Sequence, residues 1–133
     1  MNPRLLFSLV ALADAVAEIE ICRLNDADLL ALAKKTRVLI TTVGPYAQYG
    51  EHAFKACAEA GTHYVDCTGE VVWTRAMIQK YEATAQKTGT IMIPQSGFDS
   101  APSDLLTWSM AQTIRSQLSA DIKDVVVDIH DLK

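Results

Sequence analysis

The segment R-V-L-I-T-T-V-G-P-Y, from Arg37 to Tyr46, is the stretch of sequence from which the fold can be inferred. Residues 38–40 form an unbroken apolar run rich in β-branched side chains, and Gly44 and Pro45 end the strand-like pattern after Val43. An apolar run without polar alternation is typical of a strand buried on both faces of a parallel sheet. Ligands of parallel sheets bind at the carboxyl ends of strands, so the Gly44-Pro45 turn is the first candidate for a binding site.

The sequence before this segment contains one predicted strand and one well-marked helix. Residues 18–24 alternate polar and apolar side chains, which predicts a half-buried strand near a sheet edge. Asn25 is a predicted helix cap, because its side-chain oxygen can accept a hydrogen bond from a free amide of the first turn. The packing face of this helix is predicted to consist of Leu29, Leu30, Leu32 and Ala33.

The sequence after this segment alternates helices and strands with short connections. Gly61 and Gly89 are placed to end two of the helices in the left-handed conformation. The repeated strand-helix order predicts an α/β fold, in which right-handed crossovers build a parallel sheet with flanking helices. The predicted helices run from about Gln48 or Glu51 to Ala60, over 71–87 and over about 100–117, and the predicted strands are 63–67, 90–94 and 125–129. The second of these helices is predicted to pack through Trp73, Met77, Ile78, Tyr81 and Ala85, and the third through Leu105, Leu106 and Trp108 or Met110.

Length and composition indicate one globular domain. The chain has 133 residues, 50% of them hydrophobic, which is enough for a single core. Its 12 basic and 16 acidic residues give a net charge of -4, without a Lys/Arg cluster that would suit nucleic acid. Three cysteines at no metal-like spacing favour reduced thiols in an intracellular protein.

The N-terminus allows two interpretations. Arg4 precedes an apolar run, and residues 15–17 have the small side chains of a signal-peptide cleavage site. Asp14 argues against a targeting segment, and the leucines of this region fall at helical spacing, which predicts a packed helix over 4–14. No apolar run reaches the roughly 18 residues that a membrane span needs.

Three glycine-containing loops follow three consecutive predicted strands: 44–46, 68–70 and 96–99. The carboxyl ends of parallel strands meet at one edge of a sheet, and glycine lets a backbone approach a flat or phosphorylated ligand closely. These loops predict a shared cleft for a nucleotide or small substrate. The alternative is that short strand-to-helix turns simply need glycine.

Other kinds of site have weaker support in the sequence. The carboxylates of Asp66, Glu70, Asp99 and Asp104 suggest a glycosidase-like pair, but acids at a helix start also serve the helix dipole. His63 lies near two cysteines without a zinc-binding spacing, so no metal site is expected. No Gly-x-Ser-x-Gly turn marks a nucleophilic serine.

Three motifs together resemble the saccharopine-dehydrogenase-like oxidoreductases, a family that includes the trans-acting enoyl reductases of lipid synthesis. They are V-L-I-T-T-V-G-P-Y-A-Q-Y-G-E at 38–51, A-C-A-E-A-G-T-H-Y-V-D-C-T-G-E at 56–70 and P-Q-S-G-F-D-S-A-P-S-D-L at 94–105. The resemblance implies a Rossmann domain that binds NADP or NAD, followed by a second domain for substrate. The cofactor-binding residues that it implies are Val43, Gly44, Pro45, Tyr46, Gly69, Glu70, Gly97, Phe98 and Asp99.

The family pattern is incomplete in this sequence. A Gly-x-Gly-x-x-Gly turn, which places a pyrophosphate on a helix N-terminus, is absent. We therefore expect a fragment: residues 1–120 as a partial Rossmann-like domain without the first strand and glycine-rich turn, and 121–133 as the start of a truncated substrate domain. The strand at 18–24 would be the third of the family's order 3-2-1-4-5-6, so it must pair with 38–43, fold back elsewhere or stay loose.

The sequence supports two hypotheses about function. The first is a truncated NAD(P)-binding domain of an oxidoreductase, with hydride transfer to a small or lipid-linked substrate in the intact family. Its catalytic group is unknown, and Tyr46 and Asp99 are proton-donor candidates by loop position alone. The second is a non-catalytic interaction module without cofactor binding, which forms homo-oligomers through exposed sheet edges. Under both hypotheses the protein is expected in the cytoplasm or at the periphery of membranes or lipid droplets. The sequence does not decide whether this chain is an enzyme by itself.

Overall fold

The computed structural model describes residues 4–9 and 18–128, and for residues 4–9 and Glu18 it describes the backbone alone. Strands and helices alternate along most of this range. The elements are β1 (Arg4–Leu9), β2 (Glu18–Arg23), α1 (Asp26–Ala33), β3 (Val38–Thr41), α2 (Tyr46–Tyr49), α3 (Glu51–Ala60), β4 (His63–Asp66), α4 (Val71–Thr88), β5 (Met92–Ile93) and α5 (Ala101–Leu118).

A three-stranded parallel sheet in the order β3-β4-β5 is the centre of the fold. Val38 pairs with His63, and Tyr64 pairs with Met92, so the three strands run in register with β4 in the middle. Helices connect the strands as right-handed crossovers require. The α/β prediction of a partial Rossmann-like sheet with flanking helices is confirmed.

The helix ends follow the predicted local chemistry. The Asn25 side chain accepts a hydrogen bond from the Asp28 amide at 2.8 Å, which confirms the cap of α1. Gly61 and Gly89 end α3 and α4 with φ angles of 76° and 72°, in the left-handed region that glycine enters without strain.

An aromatic cluster forms the centre of the core. The Phe54 ring lies 4.9 Å from the Tyr64 ring and 5.9 Å from the Trp73 ring, and it also contacts Tyr81. These contacts join α3 to β4 and α4, and the buried residues of α1 extend the same core. The other buried apolar residues are Cys22, Leu29, Leu32, Ala33, Leu39, Tyr46, Ala53, Ala56, Cys57, Ala58, Met77 and Ala85.

The prediction that the strand starting at Val38 is buried on both faces is wrong. Leu39 and Thr41 are buried, whereas Val38 and Ile40 are exposed, Ile40 to 68%. The reason is that α1, α3 and α4 complete a core on one face of the sheet, and none of the described helices covers the other face. Ile93 on β5 and Ile91 just before it are exposed for the same reason, and β3 forms an edge of the sheet.

The predicted N-terminal helix over 4–14 is also wrong for residues 4–9, the part of it that the structure describes. Residues 4–9 form strand β1, which pairs antiparallel with β2, while residues 10–14 lie outside the described part. A pairing partner nearby overrides a leucine pattern that suits a helix equally well. The strand predicted at 18–24 is confirmed and folds back onto β1, but its Ile19 and Ile21 are exposed and Cys22 is buried.

The C-terminal part differs from the prediction in packing. Helix α5 forms as predicted but has no buried residue, so the expected packing through Leu105 and Leu106 is wrong. Ile78 on α4 is exposed although it was predicted to pack. Residues 121–128 contain no strand, and Ile129, the end of the predicted last strand, lies outside the described residues. Among the described helices, none combines the length and apolar character that crossing a bilayer requires.

Candidate functional site

Two of the three predicted loops are joined directly by a carboxylate. Glu70 accepts hydrogen bonds from the backbone amides of Tyr46 at 2.6 Å and Ala47 at 2.9 Å. These amides are the first ones of helix α2, which have no partner inside the helix. Glu70 therefore binds the start of α2 and fixes the loop after β4 beside the loop after β3.

A second carboxylate joins the loop after β4 to the loop after β5. Asp66 is 1% exposed, and its Oδ1 accepts from the amides of Thr68 at 3.0 Å and Gln95 at 2.8 Å. Its Oδ2 accepts from the Tyr64 hydroxyl at 2.7 Å. Gln95 has a φ of 59°, a left-handed conformation that side-chain-bearing residues rarely adopt. The Asp66 carboxylate thus holds a strained residue and sets the direction of the 96–99 loop.

The third loop approaches β4 at a glycine. A methyl group on Gly97 would lie 3.1 Å from Cys67 Cβ and 3.2 Å from the Cys67 carbonyl oxygen, so a larger residue does not fit without movement. The Ser96 amide also donates to the Asp66 carbonyl at 2.8 Å. The three predicted loops therefore meet at the same edge of the sheet.

Tyr46 is part of the core beneath this edge. Its hydroxyl donates to the Thr41 carbonyl at 2.9 Å and lies 3.5 Å from Cys67 Sγ. Its ring packs on Trp73 with centroids 5.4 Å apart. Burial raises the pKa of Tyr46 above its usual range. With its proton already donated to a carbonyl, this hydroxyl is poorly suited to exchange protons with a ligand.

The remaining predicted residues differ in accessibility. Val43 is partly buried against the core, and the Gly44–Pro45 peptide is cis. Phe98 and Asp99 are exposed at the loop after β5. Gly69 is exposed as well, and a methyl group placed on it would meet no atom of the described chain within 4 Å.

Free backbone donors are the feature of this edge that fits a nicotinamide cofactor. Within the described part of the chain, the amides of Gly69, Gly97 and Phe98 donate no hydrogen bond. Open space lies over Gly69, so a flat ligand has access to this backbone. Amide donors can bind the carboxamide and hydroxyl oxygens of a nicotinamide nucleoside. These residues fit that half of the cofactor.

A separate cavity of about 670 Å³ lies beside the third loop. It is bounded by the end of β5, the start of α4 and the first two turns of α5. None of the nine predicted cofactor residues lines it. Of its polar lining residues, Ser96 belongs to the third predicted loop and Asp104 is one of the candidate carboxylates, whereas no role was predicted for Gln95, Ser103 or Thr107. Gln95 has no sequence signal for its left-handed backbone, and Ser103 and Thr107 look like ordinary helix-surface residues.

Metal and thiol chemistry have little support in the described residues. No group of three or more His, Cys, Asp or Glu side chains within them is arranged to hold a metal ion. All three cysteines are free, as predicted. Burial raises the pKa of Cys57 to about 12, so this thiol stays protonated as a small core residue.

Comparison with known proteins finds relatives of this chain. Residues 9–93 match the family described as saccharopine dehydrogenase NADP-binding domain. A putative trans-acting enoyl reductase of Mycobacterium tuberculosis is 38% identical over 105 residues, which are 79% of this chain and 25% of that protein. A trans-acting enoyl reductase of Mycobacterium bovis is 46% identical over 80 residues, 60% of this chain and 19% of that protein. Another, from Mycobacterium ulcerans, is 47% identical over 79 residues, 59% of this chain and 19% of that protein.

The matched region is a small part of these relatives. The chain spans a quarter or less of their length. No solved structure matches the chain.

Proposed function

Because the chain belongs to the family of saccharopine dehydrogenase NADP-binding domains, we propose that its loops after β3, β4 and β5 form the nicotinamide side of an NAD(P) site in an oxidoreductase. The observation that carries this proposal is the group of unpaired amides at Gly69, Gly97 and Phe98 on one sheet edge. Glu70 and Asp66 hold these loops in position, since each carboxylate joins two of them through hydrogen bonds.

The chain's own contribution to this site is binding and orientation. The free loop amides hold the polar oxygens of the nicotinamide half, and Gly69 leaves room for a flat ring. NADPH would supply the hydride when bound. Of the two proton-donor candidates, the Tyr46 hydroxyl is engaged with Thr41, and Asp99 stays a candidate by its loop position alone.

Titration of NADPH into the purified chain tests the proposal. We expect saturable binding tighter than about 1 mM, worth roughly 4 kcal/mol, by calorimetry or nucleotide fluorescence. Gly69→Val should weaken it at least about tenfold, because the side chain fills the open space over the loop, a loss of roughly 1.4 kcal/mol. Thr113→Val, on the exposed surface of α5, is the control and should bind like the unaltered chain. No saturable binding at millimolar NADPH would refute cofactor use by this chain.

The reaction proposed for the whole protein is hydride transfer to the double bond of a lipid-linked or otherwise carrier-bound enoyl substrate. Its support is that the relatives are named trans-acting enoyl reductases. With such a substrate we expect the protein in the cytoplasm or at a membrane or lipid-droplet surface. NADPH oxidation followed at 340 nm with a short enoyl thioester, such as crotonyl-coenzyme A, measures this activity, and a saturated thioester is the control.

A second candidate function is a non-catalytic interaction module, and one observation favours it. The free edge of β3 and the exposed apolar face that carries Val38 and Ile40 together offer hydrogen-bonding groups and apolar surface to another strand. Two copies joined through β3 would form a continuous sheet with a two-fold axis.

Sedimentation velocity distinguishes this candidate from a monomer. We expect concentration-dependent dimers that Ile40→Lys abolishes, because a charge on this face must be desolvated when the edges pair. Ile78→Lys, at an exposed position on the other side of the core, is the matched control and should leave the dimer intact. A monomer at all concentrations would refute the interaction module as a self-associating one.

A further inference from the structure

The cavity beside α5 has an apolar wall and a polar wall. Val71, Ile93, Pro94 and Leu105 provide the apolar wall. Hydroxyl, amide and carboxylate groups from the end of β5 and the start of α5 provide the polar wall. Such an amphipathic lining suits a ligand with an aliphatic body and a polar head.

The hydroxyl groups of the polar wall can serve a ligand mainly as hydrogen-bond acceptors. Ser96 Oγ donates to the Ile93 carbonyl at 3.1 Å, Ser103 Oγ to Ser100 at 2.9 Å and Thr107 Oγ1 to Ser103 at 2.8 Å. A hydroxyl has one proton to donate, so each of these oxygens keeps only lone pairs for a further partner. Gln95 and Ser100 retain donors, which leaves acceptors in the majority on this wall.

The start of α5 adds no strong anion-binding capacity. The amides of Ser100 and Ala101 already donate to the Gly97 carbonyl at 3.1 and 2.9 Å, and Pro102 has no amide hydrogen. Helix N-termini bind phosphate through free amides, and here two of the first ones are occupied. A phosphate-bearing ligand therefore gains little from this helix.

The charge of the residues that line the cavity also favours a cationic ligand over an anionic one. Among its lining residues that the structure describes, Asp104 alone is charged. Its carboxylate is exposed and forms no hydrogen bond or ion pair with the rest of the described chain. A ligand cation next to Asp104 would be its first partner, and a ligand anion would be repelled.

We infer that this cavity is a binding site for an aliphatic ligand with a hydrogen-bond-donating, positively charged head group, of the primary-ammonium class. The aliphatic body lies against Ile93 and Leu105, and the ammonium group donates to Asp104 and to the hydroxyl oxygens of Ser103 and Thr107. None of the nine predicted cofactor residues lines this cavity, so the ligand contacts do not use the loop amides assigned to the nicotinamide. The cavity borders that site, because its lining residues Val71, Ser96 and Ser100 are chain neighbours of Glu70, Gly97 and Asp99.

Three probes of equal chain length test this site on the full chain: hexylammonium, hexanoate and 1-hexanol. Amide chemical shifts from NMR titrations at low ionic strength report both the affinity and the place of binding. We expect hexylammonium to shift the amides of Gln95, Ser103 and Thr107 and to bind about fivefold tighter than hexanoate, the range of a partly solvated ion pair.

Two variants examine the head-group contacts. Asp104→Asn should weaken hexylammonium binding about threefold towards the hexanol value, whereas Glu82→Gln, which removes an exposed carboxylate on α4 outside the cavity lining, should not change it. Thr107→Val removes an acceptor without a change in charge and should weaken the ammonium probe more than the alcohol. Equal binding of the three probes, tighter binding of hexanoate, or shifts confined to other residues would each overturn the inference.

Discussion

Asp66 has the strongest structural role among the residues of the sheet edge. A buried carboxylate that accepts hydrogen bonds from Tyr64, Thr68 and Gln95 compensates for its desolvation through these partners. We expect Asp66→Ala to destabilise the chain by about 3 kcal/mol or more, because two buried donors and one partly buried donor lose their acceptor. Urea unfolding followed by circular dichroism measures this loss.

Asp99→Asn is the control for Asp66. Its side chain is exposed, so its replacement should change the free energy of unfolding by less than about 0.5 kcal/mol. Equal stability of Asp66→Ala and Asp99→Asn would contradict the role assigned to the buried carboxylate.

Gly50 provides a prediction about packing. A methyl group at this position would lie 2.7 Å from the Trp73 ring and 2.9 Å from the Tyr46 carbonyl oxygen. Gly50→Ala should therefore cost about 1–3 kcal/mol through overpacking, although alanine favours helices. Gly69→Ala, which meets open space, is the matched control and should be close to neutral in the same thermal unfolding experiment. A Gly50→Ala chain as stable as the control would disprove the close contact.

Residue-level features were predictable where the chemistry is local. The Asn25 cap and the left-handed Gly61 depend on neighbours within a few positions, and both are confirmed. The left-handed Gln95 depends on Asp66, 29 positions away, which no local pattern contains. The engaged hydroxyl of Tyr46 is likewise a tertiary feature.

At the scale of the elements, Glu51 links α3 to α4. Its carboxylate accepts from Lys80 Nζ at 2.5 Å and from the Tyr81 hydroxyl at 2.7 Å. The hydrogen bond from Lys80, followed by that from Tyr81, holds the pKa of Glu51 below its ordinary value of 4.5. A lowered folded-state pKa gives a contribution that is present above pH 4.5 and lost as the pH falls through the lowered pKa.

The pH dependence of the Glu51→Gln variant measures this link. We expect the variant to be less stable than the unaltered chain at pH 7, with a small difference because the pair is partly exposed to solvent. The difference should disappear in acid, below the lowered pKa. Glu82→Gln, an exposed position on α4, should show no such convergence. A pH-independent difference would exclude the ionised pair as its cause.

Helix α5 should be the least stable long helix of the chain. It has no buried residue, whereas α4, which is equally long, buries Trp73, Met77 and Tyr81. Most helical stability in proteins comes from packing of an apolar face. We expect amide hydrogen exchange, followed by mass spectrometry, to be faster throughout α5 than in the middle of α4. Equal protection of the two helices would show that α5 is held by contacts in solution.

The helices were more predictable than the strands. Helix α4 repeats an apolar residue every fourth position, and this period is long enough to identify the helix and most of its buried face. The short runs at β1 and β5 suit more than one structure, so their pairing and exposure depend on neighbours. Helix α5 shows the limit of hydrophobic periodicity. The pattern identifies the apolar face of a helix, but it does not show which element, if any, packs against that face.

At the scale of the whole molecule, the parallel sheet was predictable and its one-sided covering was not. The alternation of strands and helices determines the topology through the handedness of the crossovers. Burial of both faces requires helices on each side, and the sequence pattern of Val38 to Thr41 is compatible with one side or two. The predicted meeting of the three loops follows from topology, whereas the bridges by Glu70 and Asp66 are visible only in the structure.

The location of the core within the chain affects how the protein forms during synthesis. The buried apolar cluster of the described residues lies within 22–85, and α5 contributes nothing to it. Strand β5 completes the parallel sheet at Ile93, so a nascent chain that has emerged as far as Ile93 contains every strand of that sheet and the whole buried cluster. The core can therefore collapse around Phe54 and Tyr64 before α5 emerges from the ribosome. The timing of α5 synthesis should consequently matter little for the yield of the folded core.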